Sequence, residues 1–252
     1  MIQLKDFATL RYPLRASCIP ALFQCPWKVI MEFLQLYQRD GGMAAQTGTA
    51  THKAIQHWHK QGKEVSEAVE TMRATGFEYP AADLLEAERL FRAYTKDPRN
   101  QDTRVVETEC LVTGSYKGVY LEGHIDQIRE KEGKTWEIMD VKTSRLPGLR
   151  IRNEHLYQLA VYAWLASKVF KREVLPGAVI MVRDYDSPRN PVFYPYNLSF
   201  TDVERLMDMV VTRIQEVRDG KIVLTSGDHC QYCVGVNECV KKLKDYETSR
   251  KT

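Results

Sequence analysis

The segment GVYLEGHIDQIREKEGKTWEIMDVKT, residues 118–143, decides the fold of this chain. Its two halves are rich in β-branched and aromatic residues, and the KEGK between them has the composition of a turn, so the segment predicts two antiparallel strands. TRVVETECLV, residues 103–112, predicts a third strand, separated from the second by a turn around Gly114 to Gly118. An antiparallel meander of three strands is therefore expected in the middle of the chain.

Helical patterns flank this strand-rich middle. Helices are predicted in residues 20–38, 47–63, 65–76, 81–97, 153–170 and 199–220, and short strands in 177–185 and 191–198. Thr47 or Thr49 is expected to open the second helix, and Ser199 or Thr201 to cap the last. We therefore expect one α/β domain over residues 1–252. Residues 1–100 are expected to form a mainly helical part, residues 101–198 a sheet with a helix, and residues 199–252 a helix with a cysteine-rich lobe.

The composition is that of a globular protein that can bury a core, with 44% hydrophobic and 27% charged residues. No run of about 18 apolar residues occurs, so no membrane-spanning helix is expected. Charges within residues 1–15 occupy the place where a secretion signal needs an apolar core, so a cytoplasmic location is expected. The net charge of +3 is too small to identify a partner, although clustered basic residues would allow nucleic acid to bind.

Two carboxylates and a lysine in the central strands are candidates for a metal site. Asp140 and Lys142 are two residues apart, so they point to the same side of their strand. Asp126 lies on the preceding strand, and whether it meets Asp140 depends on the register of the hairpin. Together they would offer the oxygen ligands that Mg²⁺ and Mn²⁺ prefer, beside a lysine that can hold water or stabilise a phosphate. The alternative is that Asp140 and Lys142 are ordinary charged surface residues at the end of a strand.

The order and spacing of three motifs, GHIDQI, EIMDVKT and YQLAVY, resemble the RecB-like branch of the PD-(D/E)XK nucleases. That branch has a glycine before a strand aspartate, then D-x-K-T, then a helix with Q-x-x-x-Y. This chain supplies Gly123, Asp126, Asp140, Lys142, Thr143, Gln158 and Tyr162. The resemblance implies a restriction-endonuclease-like core, with helices around a mixed central sheet, a helical N-terminal part and a cysteine-ligated C-terminal lobe.

The resemblance also implies ligands upstream of the central strands. The branch carries G-x-x-x-H on a helix, and GTATH, residues 48–52, makes His52 a metal ligand, with His57 and His59 as nearby rivals. A glutamate just before the hairpin is a further feature of the branch. Glu109 fits that position better than Glu107.

The same resemblance assigns the central residues. His52, Asp126, Asp140 and the backbone carbonyl of Val141 would hold one or two Mg²⁺ or Mn²⁺ ions, and Lys142 would position or activate the attacking water.

Gln158 and Tyr162 are four residues apart and share one face of a helix. They either satisfy hydrogen bonds in the core or, as the resemblance implies, line the site and orient the lysine or contact DNA.

Three cysteines close to the C-terminus have the spacing C-x2-C-x5-C, namely Cys230, Cys233 and Cys239. Three thiolates leave a tetrahedral metal or a cluster one ligand short. Cys25 lies in a C-P-x-K element that resembles the start of iron–sulfur RecB-like nucleases, including AddB-type and CRISPR-associated exonucleases, and this implies a 4Fe–4S cluster with four cysteine ligands. Zinc is the rival metal. Cys18 and Cys110 are expected to be small core residues.

A basic loop follows the D-x-K-T motif. Arg145, Arg150 and Arg152 are expected to contact the DNA backbone, and Arg183 and Arg189 add to the basic character nearby.

The sequence therefore predicts a metal-dependent exonuclease that acts on single strands or DNA ends. The settings left open are recombination or repair and CRISPR spacer processing, with a recombination or CRISPR integrase protein as partner. The competing hypotheses are a non-catalytic DNA-binding or assembly protein with the same fold, and a structural zinc module.

Overall fold

A mixed six-stranded sheet runs through the described part of the protein, and helices pack on both of its faces. The computed structural model of this chain describes residues 2–34, 42–62, 64–74, 81–143, 154–182, 191–227, 229–230, 233 and 235–241. The strands are β1 (Leu14–Arg15), β2 (Arg104–Tyr116), β3 (Val119–Glu130), β4 (Trp136–Lys142), β5 (Val174–Met181) and β6 (Val192–Pro195). The helices are α1 (Ile19–Gln24), α2 (Pro26–Phe33), α3 (Gly42–Lys60), α4 (Val65–Ala74), α5 (Ala81–Lys96), α6 (Pro98–Gln101), α7 (Glu154–Phe170) and α8 (Phe200–Arg218).

The three central strands form the antiparallel meander that the sequence predicts. β2 pairs with β3 along almost its whole length, and β3 pairs with β4 over residues 127–130 and 136–139. The turn between β2 and β3 falls at Lys117 and Gly118, whose φ angles are 47° and 76°. Two successive positive φ angles are typical of the two-residue hairpin loop that matches the twist of its strands.

The sheet becomes mixed at β4, because α7 carries the chain across one face before β5 begins. β5 then pairs with β4 in parallel, and β6 pairs with β5 in antiparallel orientation. β1, a short strand that the sequence did not predict, pairs in parallel with residues 121–122 of β3. These features confirm the mixed central sheet flanked by helices.

Two hydrophobic clusters cover the two faces of the sheet. One contains α7 with α1, α2 and α8, and the other contains α3, α4 and α5. Alternate residues of β4 face opposite sides, so Ile138 joins the α7 cluster while Met139 and Val141 join the other. Asp140 and Lys142 therefore share the α7 side. Among the described helices, none has the length and apolar character needed to cross a membrane.

Two helix boundaries differ from the sequence prediction. The helix predicted over residues 20–38 is interrupted at Cys25, whose extended backbone (φ −157°, ψ 104°) separates α1 from α2. The residue before a proline is driven away from helical geometry, and Pro26 then begins α2. Further along, α3 begins before Thr47 and Thr49, so both threonines lie inside the helix and neither opens it.

Ser199 caps α8, which decides between the two predicted caps. The hydroxyl of Ser199 accepts a hydrogen bond from the N–H of Asp202 at 3.2 Å. The carboxylate of Asp202 in turn accepts one from the N–H of Ser199 at 3.0 Å. This reciprocal pair is a capping box, and it places Thr201 within the first turn.

Candidate functional site

A gap in the sheet opens the cleft that holds the predicted site residues. β2 occupies one edge of β3, so β1 and β4 share the other edge. β1 pairs with residues 121–122 and β4 with residues 127–130, which leaves residues 123–126 without a strand partner on that edge in the described chain. A cleft of about 510 Å³ lies at this gap. Its lining includes His52, Asp126, Asp140, Val141, Lys142, Gln158 and Tyr162.

Three side chains from separate elements meet in the cleft as a candidate metal site. His52 comes from α3, Glu109 from β2 and Asp126 from β3, and each offers a ligand atom within 4.8 Å of the other two. Nδ1 of His52 is 3.4 Å from Oε1 of Glu109 and 3.3 Å from Oδ1 of Asp126. One imidazole nitrogen and two carboxylates suit Mn²⁺, and the carboxylates also suit Mg²⁺.

Glu109 reaches this site through an unusual backbone conformation. The residues on either side of it pair with residues 127 and 125 of β3, so Glu109 lies opposite Asp126. Its φ angle of 51° falls in the left-handed region, which is rare for a residue with a side chain. A residue held in this region costs roughly 1–3 kcal/mol, and such residues concentrate at functional sites. The strain is located where the carboxylate meets His52.

Asp126 is held at the point where the ladder between β3 and β4 ends. The N–H of Val141 donates a hydrogen bond to Oδ2 of Asp126 at 2.6 Å, so the side chain replaces a backbone acceptor. Oδ1 is the oxygen that faces His52. The N–H and C=O groups of one strand residue point to the same side. The carbonyl of Val141 therefore lies on the Asp126 side of its strand, where the resemblance implies a ligand.

Asp140 and Lys142 meet on the α7 side of β4, as their spacing predicts. Nζ of Lys142 is 3.0 Å from Oδ1 and 2.8 Å from Oδ2 of Asp140. The amide of Gln158 donates to Oδ1 of Asp140 at 3.2 Å and to the hydroxyl of Tyr162 at 3.0 Å. Oδ2 of Asp140 is buried and accepts no well-directed hydrogen bond from the described residues, although Lys142 is close enough for an ion pair. A buried carboxylate oxygen left in this state fits a site built for a cation.

Two glycines of the motifs allow these elements to approach closely. A Cβ at Gly123 would lie 2.7 Å from Cδ1 of Tyr162, so the glycine gives the tyrosine ring room beside β3. A Cβ at Gly48 would lie 2.9 Å from Oγ1 of Thr143. The absence of a side chain at Gly48 therefore lets α3 lie against the end of β4, one turn before His52.

The charges in the cleft compensate one another. Burial alone would lower the pKa of His52, but the charges and hydrogen bonds of Asp126 and Glu109 raise it to about 10. Burial favours a higher pKa for Asp126, yet His52 and Lys142 hold it below its ordinary value. Burial raises the pKa of Asp140, against the influence of Lys142. Burial opposes the charge of Lys142, but the two aspartates outweigh it and raise its pKa, so the lysine is charged at neutral pH.

The rival residues lie elsewhere. Nε2 of His59 is 2.9 Å from the hydroxyl of Tyr94 on α5, and His57 contacts α4. Glu107 is exposed and does not belong to the group of three possible ligands that contains Glu109. The geometry therefore favours His52 over the other two histidines, and Glu109 over Glu107.

Sequence reasoning missed His124, which lines the same cleft. Nδ1 of His124 is 3.1 Å from Oε2 of Glu109, so this carboxylate lies between two histidines. The two-residue spacing between His124 and Asp126 on one strand was a usable signal. Arg15, which also lines the cleft, was missed because β1 was not predicted.

The two ends of the described chain that carry the predicted cluster ligands pack together. Cys25 is buried with Trp27 and Met31 at the start of α2, and Cys239 packs against this group. A Cβ at Gly235 would lie 2.8 Å from Cγ of Met31, which shows how closely the C-terminal segment approaches α2.

The other two predicted ligands lie one turn apart. The N–H of Cys233 donates to the carbonyl of Cys230 at 3.1 Å. In the described part of the chain, no three cysteine sulfurs lie within 4.8 Å of one another. Cys18 and Cys110 are half-buried and pack against the main core from its edge.

The predicted DNA-binding residues Arg145, Arg150 and Arg152 lie outside the described residues, as do Arg183 and Arg189. Their contacts with DNA stay predictions. Within the described residues, Arg15 places a guanidinium at the rim of the cleft, 3.4 Å from Glu122.

Comparison with known proteins agrees with this fold. The model of the PD-(D/E)XK nuclease superfamily matches residues 16–239, a range that contains the whole cleft lining except Arg15. This chain belongs to the PD-(D/E)XK nuclease superfamily. Nucleases of this superfamily use divalent metals, and the ligand atoms of His52, Glu109 and Asp126 lie close enough together to hold one.

Two solved structures are similar to this chain. The "Putative exonuclease" from Eubacterium rectale is 12% identical, with 91% of this chain and 87% of that chain covered and a TM-score of 0.55. The protein named SSO0001 is 16% identical, with 85% and 93% covered and a TM-score of 0.35. No curated protein matches this chain. The first of these structures supports the fold, so the activity has to be argued from the site.

Proposed function

We propose that the protein is a Mg²⁺- or Mn²⁺-dependent deoxyribonuclease that works as an exonuclease on single strands or DNA ends. One observation carries the proposal. His52, Glu109 and Asp126 converge on one side of the sheet gap, and Asp140 and Lys142 lie in the same cleft. A structural role does not require five ionisable groups from four elements around a cleft that is open to solvent.

Each group has a role that its surroundings support. His52, Asp126, Asp140 and the carbonyl of Val141 would hold one or two cations, with Glu109 as a further ligand. The bound metal would supply Lewis-acid stabilisation of the charge on the phosphate. Lys142 would act as a charged hydrogen-bond donor that positions the attacking water, since its pKa is raised.

Gln158 and Tyr162 would act through Asp140. The amide of Gln158 bonds to both the carboxylate and the tyrosine hydroxyl, so it holds the carboxylate in one orientation. These contacts satisfy buried polar groups as well, so the core role and the positioning role that the sequence left open are compatible.

The test is cleavage of 5′- and 3′-labelled single- and double-stranded DNA with Mg²⁺, Mn²⁺ or EDTA. We expect metal-dependent cleavage by the wild type, and a loss of about 10²-fold or more in Asp140→Asn and Lys142→Met, with DNA binding retained. The exposed ion pair of Lys117 and Asp208 supplies matched controls, Lys117→Met and Asp208→Asn, which should keep wild-type activity. The labels report polarity and strand preference. DNA binding without cleavage on any substrate would favour the alternative, a non-catalytic DNA-binding or assembly protein.

We also propose that Cys25, Cys230, Cys233 and Cys239 bind a 4Fe–4S cluster of structural function. The packing of Cys239 and Gly235 against the α2 region that carries Cys25 supports a shared site. Iron and sulfide analysis, with visible absorption of anaerobically purified protein, tests this. A colourless protein with stoichiometric zinc would contradict the proposed cluster and would favour zinc as the bound metal.

The pathway follows from the substrate. DNA ends arise in recombination and repair and in the trimming of new CRISPR spacers, so we propose one of these settings, with a recombination or CRISPR integrase protein as partner.

A further inference from the structure

Leu111 is exposed within the cleft although it is apolar. Its relative exposure is 60%, and it lines the same cleft as Asp126 and Lys142. Its partner across the β2–β3 ladder is His124, whose side chain is 58% exposed. An apolar side chain and an imidazole therefore stand together beside the candidate metal site, and the proposed hydrolysis uses neither.

These two residues form the row of the sheet next to the metal ligands. Glu109 lies opposite Asp126, and two residues along each strand Leu111 lies opposite His124. Two residues of a strand span about 7 Å. When a phosphate lies at the metal ligands, the base of the same or the adjoining nucleotide falls within that reach.

The apolar surface is only one row deep. In the next row Thr113 lies opposite Glu122, and Glu122 is 3.4 Å from the guanidinium of Arg15. The row of Leu111 and His124 therefore lies between two rows that carry charged side chains. This pattern matches a single planar ring with a polar backbone on either side of it. A protein partner would need a larger apolar area than one leucine provides.

His124 already contacts a residue of the metal-binding row. Its Nδ1 is 3.1 Å from Oε2 of Glu109, so the imidazole is tethered to the metal-binding row. A ring held in one orientation loses little conformational entropy when a base packs on it, which strengthens the contact.

We propose that Leu111 and His124 form a contact surface for the nucleobase next to the scissile phosphate. The inference rests on the proposed function, because it assumes that DNA occupies the cleft. A base that packs on this surface has left its own stack and pair, so the surface selects single strands and frayed ends over closed duplex. Bases of every type have an apolar face, so little sequence preference is expected.

The test compares DNA with and without the base. A series of single-stranded oligonucleotides is used, and each lacks the base at one of the last four nucleotides of either end. Binding is measured by fluorescence anisotropy in Ca²⁺, and a gel confirms that the DNA stays intact. The proteins are the wild type, Leu111→Ser, Leu111→Phe and a control, Leu85→Ser, in which an equally exposed leucine of α5 is changed.

At one of the tested positions, the wild type and Leu85→Ser should bind the abasic DNA about 5- to 10-fold more weakly than they bind intact DNA. Leu111→Ser should bind intact and abasic DNA equally, while Leu111→Phe should keep the difference. This coupling between base and side chain would not arise from a general loss of structure.

Two outcomes overturn the inference. Leu111 is not a base contact if the wild type binds intact and abasic DNA with the same affinity at every position. The same holds if Leu111→Ser weakens binding to both DNAs by the same factor, so that the difference between them remains. In either case, metal-dependent cleavage in the labelled assay leaves the proposed function standing. If the wild type neither binds nor cleaves DNA, the proposed function and the inference fail together.

Discussion

At the scale of the residue, Gly123 shows how a motif position without chemistry of its own serves the groups that have it. The ring of Tyr162 occupies the space where a Cβ would be. The hydroxyl of that ring accepts a hydrogen bond from Gln158, which also donates to Asp140. A change at the glycine is therefore expected to reach the carboxylate of Asp140 through two side chains.

Gly123→Ala tests this chain of contacts. The added methyl group would overlap the ring of Tyr162 at 2.7 Å, so we expect a loss of about 1–3 kcal/mol in the free energy of unfolding. We also expect kcat to fall at least about tenfold, because the displaced ring releases Gln158 and Asp140. Urea unfolding and steady-state cleavage measure the two effects. Ser115→Ala, at an exposed position of β2, should change neither, and full activity in Gly123→Ala would contradict the positioning role.

His52 provides a pH-dependent prediction for the protein in EDTA. Its pKa is raised from 6.5 to about 10, so the stabilisation from its ion pairs with Asp126 and Glu109 is complete below pH 6.5 and is lost as the pH rises through 10. NMR titration of the imidazole should give a midpoint near 10 in the wild type and a lower midpoint in Asp126→Asn. A wild-type midpoint at or below 6.5 would show that the imidazole is not paired with the two carboxylates.

At the scale of the element, β3 has a half that lines the cleft and a structural half. Glu122, His124 and Asp126 line the cleft, whereas residues 127–130 pair with β4. In the structural half the buried guanidinium of Arg129 donates to Gln127, to the hydroxyl of Tyr94 and to Asn100. This network attaches α5 and α6 to the sheet, and α3 packs on α5. The helix that carries His52 is therefore located partly by a polar network on the other half of the strand.

Arg129→Met is expected to destabilise this arrangement. The methionine fills part of the volume, but it leaves the buried side-chain oxygen of Asn100 without its donor and removes the guanidinium donor from Gln127, so we expect a loss of about 2–4 kcal/mol in the free energy of unfolding. Urea denaturation measures it. Arg104→Met, at an exposed ion pair with Glu130, should change stability by less than about 1 kcal/mol. Equal effects of the two substitutions would mean that the network contributes no more than a surface pair.

At the scale of the whole molecule, the chain closes on itself at its cysteines. Cys25 and Cys239 belong to one packed group although almost the whole described chain lies between them. A metal centre shared by both ends would restrict the unfolded chain over this long loop and would add its binding free energy to folding.

Cys25→Ser should therefore lower both iron content and thermal stability. We expect loss of most of the bound iron and a fall of more than about 5 °C in Tm, since the cluster would lose one of its four ligands. Cys110→Ser, outside the predicted ligand set, should keep the iron. An unchanged iron content in Cys25→Ser would remove this residue from the ligands, whichever metal is bound.

The sequence by itself determined the meander, the buried helix after it and the D-x-K spacing, because these depend on local periodicity and on the two-residue alternation of a strand. Family resemblance selected His52 and the cysteines. Only the tertiary structure decided that β1 and β4 leave a gap along β3, that Glu109 adopts a left-handed backbone opposite Asp126, and that His124 and Leu111 border the candidate metal ligands. These features depend on which strands pair and in what register, and pairing between distant segments leaves no periodic signal in the sequence of either one.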